Sequence, residues 1–485
     1  MFRLPGRHGS AKRGAIRPPA IIQGIRSMRP RIYIDGHNLA LDQGTGVATY
    51  ARNLSFRLGG LGAEVGVLYG TRASPSRNEL IREIAFFDNR VGEASPMLRW
   101  MRSARRTLFS PLGEYATSVP ITGRVVANTF ENRLPHFDHL WNVENGFTVA
   151  YNHFRHYKSR LTVRMPRPPQ IMHWTYPLAM RVPGARNIYT LHDLVPLRLP
   201  FTTLDHKRRY FRLNRLIAKK ADHIITVSEA SKRDIVNLLG VDPERVTNTY
   251  QSVEIPKKFA EKPIYEAQDE IKGSFGLDWK GYFMFFGAIE PKKNVGRMIE
   301  AFLSSGSDLP LIIVGKQAWK SEEELKLLFD DHIRYQVQEG SILRVKRKII
   351  LLDYAPFRLL ISLIRGAKAC LFPSLYEGFG LPALEAMKLG TPVMTSNTSS
   401  LPEVVGEAAI TVDPYDVRAM VEAIRALDQN ADLRGWLEHA GPHRADLFSA
   451  DKYERRLADV YSRLGVTVEP GAGHTAAPAL AEAAE

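Results

Sequence analysis

The 485-residue sequence predicts an α/β fold of two Rossmann-like domains, each a parallel sheet wound with helices, facing each other across a cleft. Three observations carry that expectation. In the first half, short β-branched and apolar runs alternate with helical segments, at Arg31 to Asp35, Glu64 to Tyr69, Asn187 to His192 and His223 to Val227. In the second half, a like series runs through Tyr282 to Gly287, Leu311 to Gly315, Ile349 to Leu352, Ala369 to Phe372, Pro392 to Thr395 and Ala409 to Val412. Between the two series lies Gln251 to Gly273, whose prolines and charges read as a crossing linker.

Taken in order, residues 1–30 are rich in Arg and Lys with no apolar run fit for a signal peptide, so a flexible basic tail is expected. The first domain is placed over 31–255 and the second over 256–448. Within the first, Thr71 to Pro169 has scattered apolar residues and much Arg, Pro and aromatic content, and reads as a variable insertion. A helix over 449–466 has Ser449 as its cap and helical spacing through Tyr453, Leu457, Val460, Tyr461 and Leu464. Residues 467–485, rich in Ala, Gly and Pro, read as a disordered tail.

The net charge of +15 suits anionic partners: phosphates, an acidic membrane surface or nucleic acid. Charge alone does not choose among them. The single cysteine, Cys370, sits in an apolar strand, which excludes an intrachain disulfide and a cysteine-based metal site and fits a reducing compartment. No window is apolar enough for a spanning helix, so a cytoplasmic protein is expected, one that can rest on the inner face of a membrane.

The most specific stretch is FPSLYEGFGLPALEAM, Phe372 to Met387. A buried strand runs directly into a glycine-bearing turn and a helix that opens at Leu381 and Pro382. The first amides of such a helix are unpaired and its dipole is positive there, which favours a phosphate. Gly378, Phe379, Gly380 and Leu381 are therefore candidates to hold one. Carboxylates repel a diphosphate, so Glu377 and Glu385 on either side make sense as acceptors for hydroxyl protons, of a sugar at one end and a ribose at the other. Helix dipoles alone also favour Glu at such a place, so it is the pair and its spacing that carry the inference.

Other segments offer complementary chemistry. In YFMFFGAIEPKKNVGRMIEAF a strand reaches Gly287, turns, and presents Lys292 and Lys293 where the loop enters a helix, so an ammonium can reach a diphosphate. His192 and Asp193 end another strand, where open α/β sheets present ligand-binding residues. Gly44 and Gly46 precede a helix after Asp35, and Ser228 reads as a helix N-cap with Ser231 and Lys232 behind it.

Together these motifs resemble the retaining glycosyltransferases of the GT-B fold, specifically the family-four group with its E-x7-E signature. The likeness covers roughly Arg31 to Leu464, is most specific over Gly281 to Asp416, and is weakest over Thr71 to Pro169. It implies an N-terminal acceptor-side domain, a C-terminal nucleotide-sugar domain, and a C-terminal helix crossing back to the first. It implies Glu377, His192 and Lys293 as catalytic residues, with Lys292, Gly287, Gly378, Phe379, Gly380, Leu381 and Glu385 on the donor and Gly44, Gly46 and Asp193 on the acceptor-side loops. One departure stands out: where relatives place an Arg after the first glycine, this chain has Ala288, and Lys292 is the residue that can supply the charge.

The implied reaction moves a sugar from a nucleoside diphosphate sugar to a hydroxyl of a glycan or lipid-linked acceptor in surface polysaccharide synthesis. Likeness to O-antigen mannosyltransferases makes GDP-mannose the first donor to consider, with a UDP-sugar as the other choice. No cofactor or metal is expected to be required, and no nucleic-acid partner. Rival readings are a nucleotide-sugar epimerase, a glycogen-type phosphorylase, and a basic nucleic-acid-binding or scaffold protein. A dehydrogenase is disfavoured, because neither glycine turn fits G-x-G-x-x-G followed by the expected acidic residue.

Overall fold

In a computed structural model of the protein, the described residues are 29–40, 46–73, 76–88, 96–125, 135–319, 321–329, 334–339 and 342–469. The tail expected over 1–30 lies outside them up to residue 28, and the tail expected over 467–485 from residue 470. Gly44 also lies outside the described residues.

Two sheets dominate. The first has the order Val246–Asn248, His223–Thr226, Arg186–Thr190, Ile171–Trp174, Arg31–Asp35, Glu64–Tyr69, His139–Asn142, Thr117–Val119. Its pairings are parallel except the last, which is antiparallel. The second sheet is parallel throughout, with the order Ile349–Leu352, Leu311–Val314, Phe283–Phe286, Ala369–Phe372, Val393–Ser396, Ile410–Val412. Covered by helices on their faces, such strands read as continuous apolar runs, which is why FMFF, LIIV and ACLF are wholly buried.

Three sequence readings are corrected. The strand Ile171–Trp174 lies in the middle of the first sheet, between Arg31–Asp35 and Arg186–Thr190, yet was not among the expected strands. Its polar His173 interrupts the apolar pattern. The segment read as variable insertion supplies the strands His139–Asn142 and Thr117–Val119 and the helices Glu79–Phe87, Pro96–Phe109 and Gly146–Tyr157. Those strands are too short, and too rich in polar residues, to announce themselves by periodicity. The linker reading of Gln251 to Gly273 gives way to the helix Ile264–Phe275, which packs against Phe357–Gly366 and buries Ala267 and Ile271.

Ser449 stands at the N-cap of the helix Ala450–Arg463, but its side chain makes no capping hydrogen bond. Tyr453, Leu457 and Tyr461 on that helix are buried, and it packs on the helix Gly46–Gly60, where Arg57 pairs with Glu454 at 3.0 Å. Tyr461 also reaches the first sheet, its hydroxyl 2.9 Å from Nδ1 of His173. No helix of the described residues is long and apolar enough to cross a membrane.

Candidate active site

The functional candidates gather where the C-terminal ends of strands from both sheets face each other, as the topology of open α/β sheets dictates. Glu377 follows Ala369–Phe372, Gly287 and the lysine pair follow Phe283–Phe286, and the His192–Asp193 turn follows Arg186–Thr190. A cavity of about 320 Å³ lies beside the His192–Asp193 turn, with His192, Asp193, Glu290, Lys292 and Trp319 in its walls.

Glu377 is fixed in place. Its Oε1 accepts from Lys293 Nζ at 2.6 Å and from Ser374 Oγ at 2.8 Å. Burial alone would raise its pKa, but Lys293 and Lys292 outweigh that and hold the carboxyl below the usual range, so it is ionised at neutral pH. Its backbone is equally tied: the Glu377 N–H donates to Ser399 Oγ at 3.0 Å, and Ser400 Oγ donates to the carbonyls of Glu377 and Phe379, both at 2.9 Å. The serines of the SNTSS turn thus hold the Glu377 loop from behind.

Lys292 lies 3.3 Å from Glu290. Burial works against its ammonium, yet Glu290, Glu377 and Asp193 raise its pKa above the ordinary lysine value, so it carries a full positive charge. The turn that follows Glu377 adds partial charge. Among the described residues, the N–H groups of Gly378, Phe379, Gly380 and Leu381 have no intramolecular acceptor, and the helix Leu381–Lys388 begins there without a side-chain cap. Gly380 at φ +105 takes a backbone conformation that suits glycine. Gly287 differs: its N–H donates to Val314 O at 2.9 Å, so that amide is engaged in the sheet and Gly287 contributes a tight turn.

Glu385 projects from the same short helix, and its carboxyl has no hydrogen-bond partner among the described residues. Burial pushes its pKa up to about 7. A carboxyl left half-ionised and unpaired is suited to a ligand hydroxyl.

On the facing domain, His192 donates from Nε2 to Thr175 O across 3.0 Å and sits edge-on to Tyr50, with centroids 4.7 Å apart. Burial lowers its pKa, so the ring is neutral and Nδ1 is left as an acceptor. Asp193 Oδ1 accepts from the Val195 N–H at 3.1 Å. The two domains meet closely here. A Cβ built on Gly378 would stand 2.9 Å from His192 O and 3.0 Å from Asp193 Oδ2, and Ser231 Oγ donates to both His192 O at 2.9 Å and Gly378 O at 3.3 Å. Gly46 faces the Gly378–Leu381 turn too, the nearest group to its open side being Leu381 Cδ1 at 3.9 Å.

Further residues support this arrangement. Asn294, buried and at φ +60, donates its amide to Pro373 O at 3.0 Å and Pro414 O at 2.7 Å, tying three loops of the second sheet together. A buried network beneath His192 runs from Tyr461 through His173 to Thr190 and Tyr50. Glu403 accepts from the N–H groups of Glu229 and Ala230, both at 2.9 Å, and so caps a helix of the other domain. Among the described residues, no three His, Cys, Asp or Glu side chains cluster to hold a metal.

Comparison with known proteins places the chain in a family. The family described as glycosyl transferases group 1 matches residues 267–444, and Glycosyltransferase Family 4 matches residues 129–254. The O-antigen chain mannosyltransferase B of Escherichia coli is 31% identical over 290 residues, 58% of this chain and 71% of the relative. The sucrose-phosphate synthase of Thermosynechococcus elongatus superposes with a TM-score of 0.58 at 16% identity, over 90% of this chain and 99% of that one. Anabaena HepE, solved with UDP and glucose, superposes with a TM-score of 0.55 at 12% identity, over 90% and 100%. With both halves matched and a relative 31% identical over 71% of its own length, this chain belongs to the family-four, group 1 glycosyltransferases of the GT-B fold.

Proposed function

We propose that the protein transfers a sugar, with retention of anomeric configuration, from a nucleoside diphosphate sugar to a hydroxyl of a surface-polysaccharide glycan or its lipid-linked precursor. The observation that carries this reading is the ionised Glu377, bound to Lys293, beside a turn of unpaired amides and the charged Lys292. As the anomeric bond breaks, negative charge develops on the leaving diphosphate, and those amides and Lys292 stand as fixed positive potential to meet it. Glu377 orients the sugar hydroxyls, and Glu385 takes the ribose. The acceptor hydroxyl enters on the His192 and Asp193 side, attacks from the face the diphosphate leaves, and gives its proton to the departing phosphate. The lysines and amides neutralise that phosphate, so the reading includes no metal or other cofactor.

Mannose from GDP-mannose is the donor proposed first. The name of the E. coli relative supports the sugar, and the UDP held by HepE supports a nucleoside diphosphate in general. The reading places the enzyme in the cytoplasm at an anionic membrane face, where such acceptors are extended, and the net charge of +15 suits that surface. Stabilisation against a panel of nucleoside diphosphate sugars, followed by transfer with the donor that raises the melting temperature, tests the reading. An α-linked product from an α-linked donor is expected, whereas an inverted product or no stabilising donor overturns it. Added chelator is expected to leave transfer unchanged.

A further inference from the structure

We infer that the N-terminal half carries an acceptor subsite for a phosphate or diphosphate group, set beyond the point of sugar transfer. This rests on the glycosyl-transfer reading for its role, though not for its binding chemistry. Behind the catalytic cleft lies a second cavity of about 270 Å³. The two share Tyr176, Pro177, Asp205 and Tyr210 as a common wall, so they lie side by side. The inner cavity is lined mainly by rings and apolar groups, with His37 stacked on Tyr176 and edge-on to Phe147 at centroid distances of 5.4 Å and 5.0 Å. Such walls suit the apolar face of a sugar or a short apolar stem.

A basic hollow adjoins this cavity. Phe154, His206 and Arg209 belong to both, and the remaining walls of the hollow are Arg155, Lys158, Arg208 and Arg212. Among the described residues, no ion-pair partner faces Arg155, Arg208 or Arg212. The helix that supplies most of these groups, Lys207–Lys220 with sequence KRRYFRLNRLIAKK, contains no acidic residue. Arg209 lies over the Tyr151 ring at 4.9 Å, which holds its guanidinium at the junction of apolar cavity and basic hollow.

A solvated basic helix face is the plainer account of so many arginines. It does not explain why they gather at a hollow that borders the inner cavity, which in turn borders the reaction cleft. Guanidinium groups without carboxylate partners, gathered around one exposed hollow, have the chemistry of phosphate recognition. The order along the path is then reacting hydroxyl at His192 and Asp193, sugar or apolar stem against Tyr176 and Tyr210, and anionic group at Arg208 and Arg212.

The test is calorimetric titration of the full-length protein with phenylhexyl diphosphate, and with phenylhexanol as its uncharged counterpart. The diphosphate is expected to bind the wild type, and the double variant Arg208→Ala with Arg212→Ala to weaken it by roughly tenfold or more. Phenylhexanol is expected to bind more weakly and to ignore the substitution. The Lys292→Ala variant is expected to bind the diphosphate as the wild type does, because that lysine lies at the donor turn. Loss of binding in Lys292→Ala with the arginine variant unaffected would place the diphosphate in the donor site and overturn the inference. Phosphatidylglycerol vesicles separate the remaining source of the same chemistry: if the arginine variant loses vesicle binding but keeps the diphosphate, the cluster serves a lipid surface and the subsite is refuted. None of these titrations needs turnover. Failure to transfer sugar from any donor would overturn the function proposed above, while the titrations still decide the subsite.

Discussion

Lys293 Nζ lies 2.6 Å from Glu377 Oε1, joining side chains 84 positions apart on the turns that follow two adjacent strands of the second sheet. Both side chains are about seven-eighths buried, with exposures of 13% and 12%. At that depth each charge depends on the other, since an isolated buried charge loses more in desolvation than its remaining neighbours return. Lys293→Ala is therefore expected to destabilise the fold by about 3 kcal/mol and to cut transfer by at least roughly a hundredfold. Glu377→Gln keeps the volume and is expected to cost less stability but as much activity. Denaturant unfolding and initial-rate assays check both, and wild-type-like turnover by either variant would sink the assignment of this site.

Glu403 also ties the domains together. Its carboxylate takes the first two N–H groups of the helix Glu229–Leu239, where Ser228 already caps the Ser231 N–H at 3.0 Å. A carboxylate at a helix N-terminus gains from both hydrogen bonds and dipole. Glu403→Ala is expected to cost about 1–2 kcal/mol and to loosen the approach of one domain to the other. Small-angle scattering of the variant should show a larger radius of gyration than the wild type. An unchanged radius would show that the remaining contacts hold the closed arrangement alone.

The sequence revealed the second sheet more fully than the first, and the reason is physical. Strands such as FMFF, LIIV and ACLF are buried on both faces and carry no polar residue, so composition alone marks them. Ile171–Trp174 is as deeply buried, but its His173 is satisfied by Tyr461 and Thr190, which lie 288 and 17 positions away. A polar residue whose partner is that distant reads locally as a break. The Glu377 turn was legible because glycines, carboxylates and helix start occupy one short window. The Lys293 contact and the bridging role of Asn294 were not, since both depend on strand order. Only the left-handed backbone of Asn294, which asparagine tolerates better than most residues, left a local trace.

Gly378 stands hard against the His192–Asp193 turn. Its φ is not in the left-handed region, so the constraint is space rather than backbone strain. A Cβ there would meet a backbone carbonyl at 2.9 Å, and that carbonyl is already held by Ser231. Gly378→Ala is therefore expected to push the two turns apart and reduce kcat by roughly tenfold or more, because catalysis tolerates little displacement of reacting groups. Stabilisation by nucleoside diphosphate alone should be nearly unchanged, since the nucleotide contacts proposed above lie on one domain. Equal loss of both would show that the substitution disrupts the donor turn itself.

Glu385 gives the pH dependence. Burial lifts its carboxyl from the usual 4.5 to about 7, so folding favours the protonated form. The stability linked to it is complete below 4.5 and is lost as pH rises through about 7. The loss amounts to at most about 3 kcal/mol between acid and alkaline limits. Glu385→Gln mimics the protonated form and is expected to be more stable than wild type at pH values above that range, with the difference shrinking towards its acid end. Melting temperatures of both proteins across the range measure this directly. The same substitution is expected to raise the donor KM with little change in kcat, as fits a residue that binds the ribose away from the breaking bond. A fall in kcat at unchanged KM would instead put Glu385 at the reacting sugar.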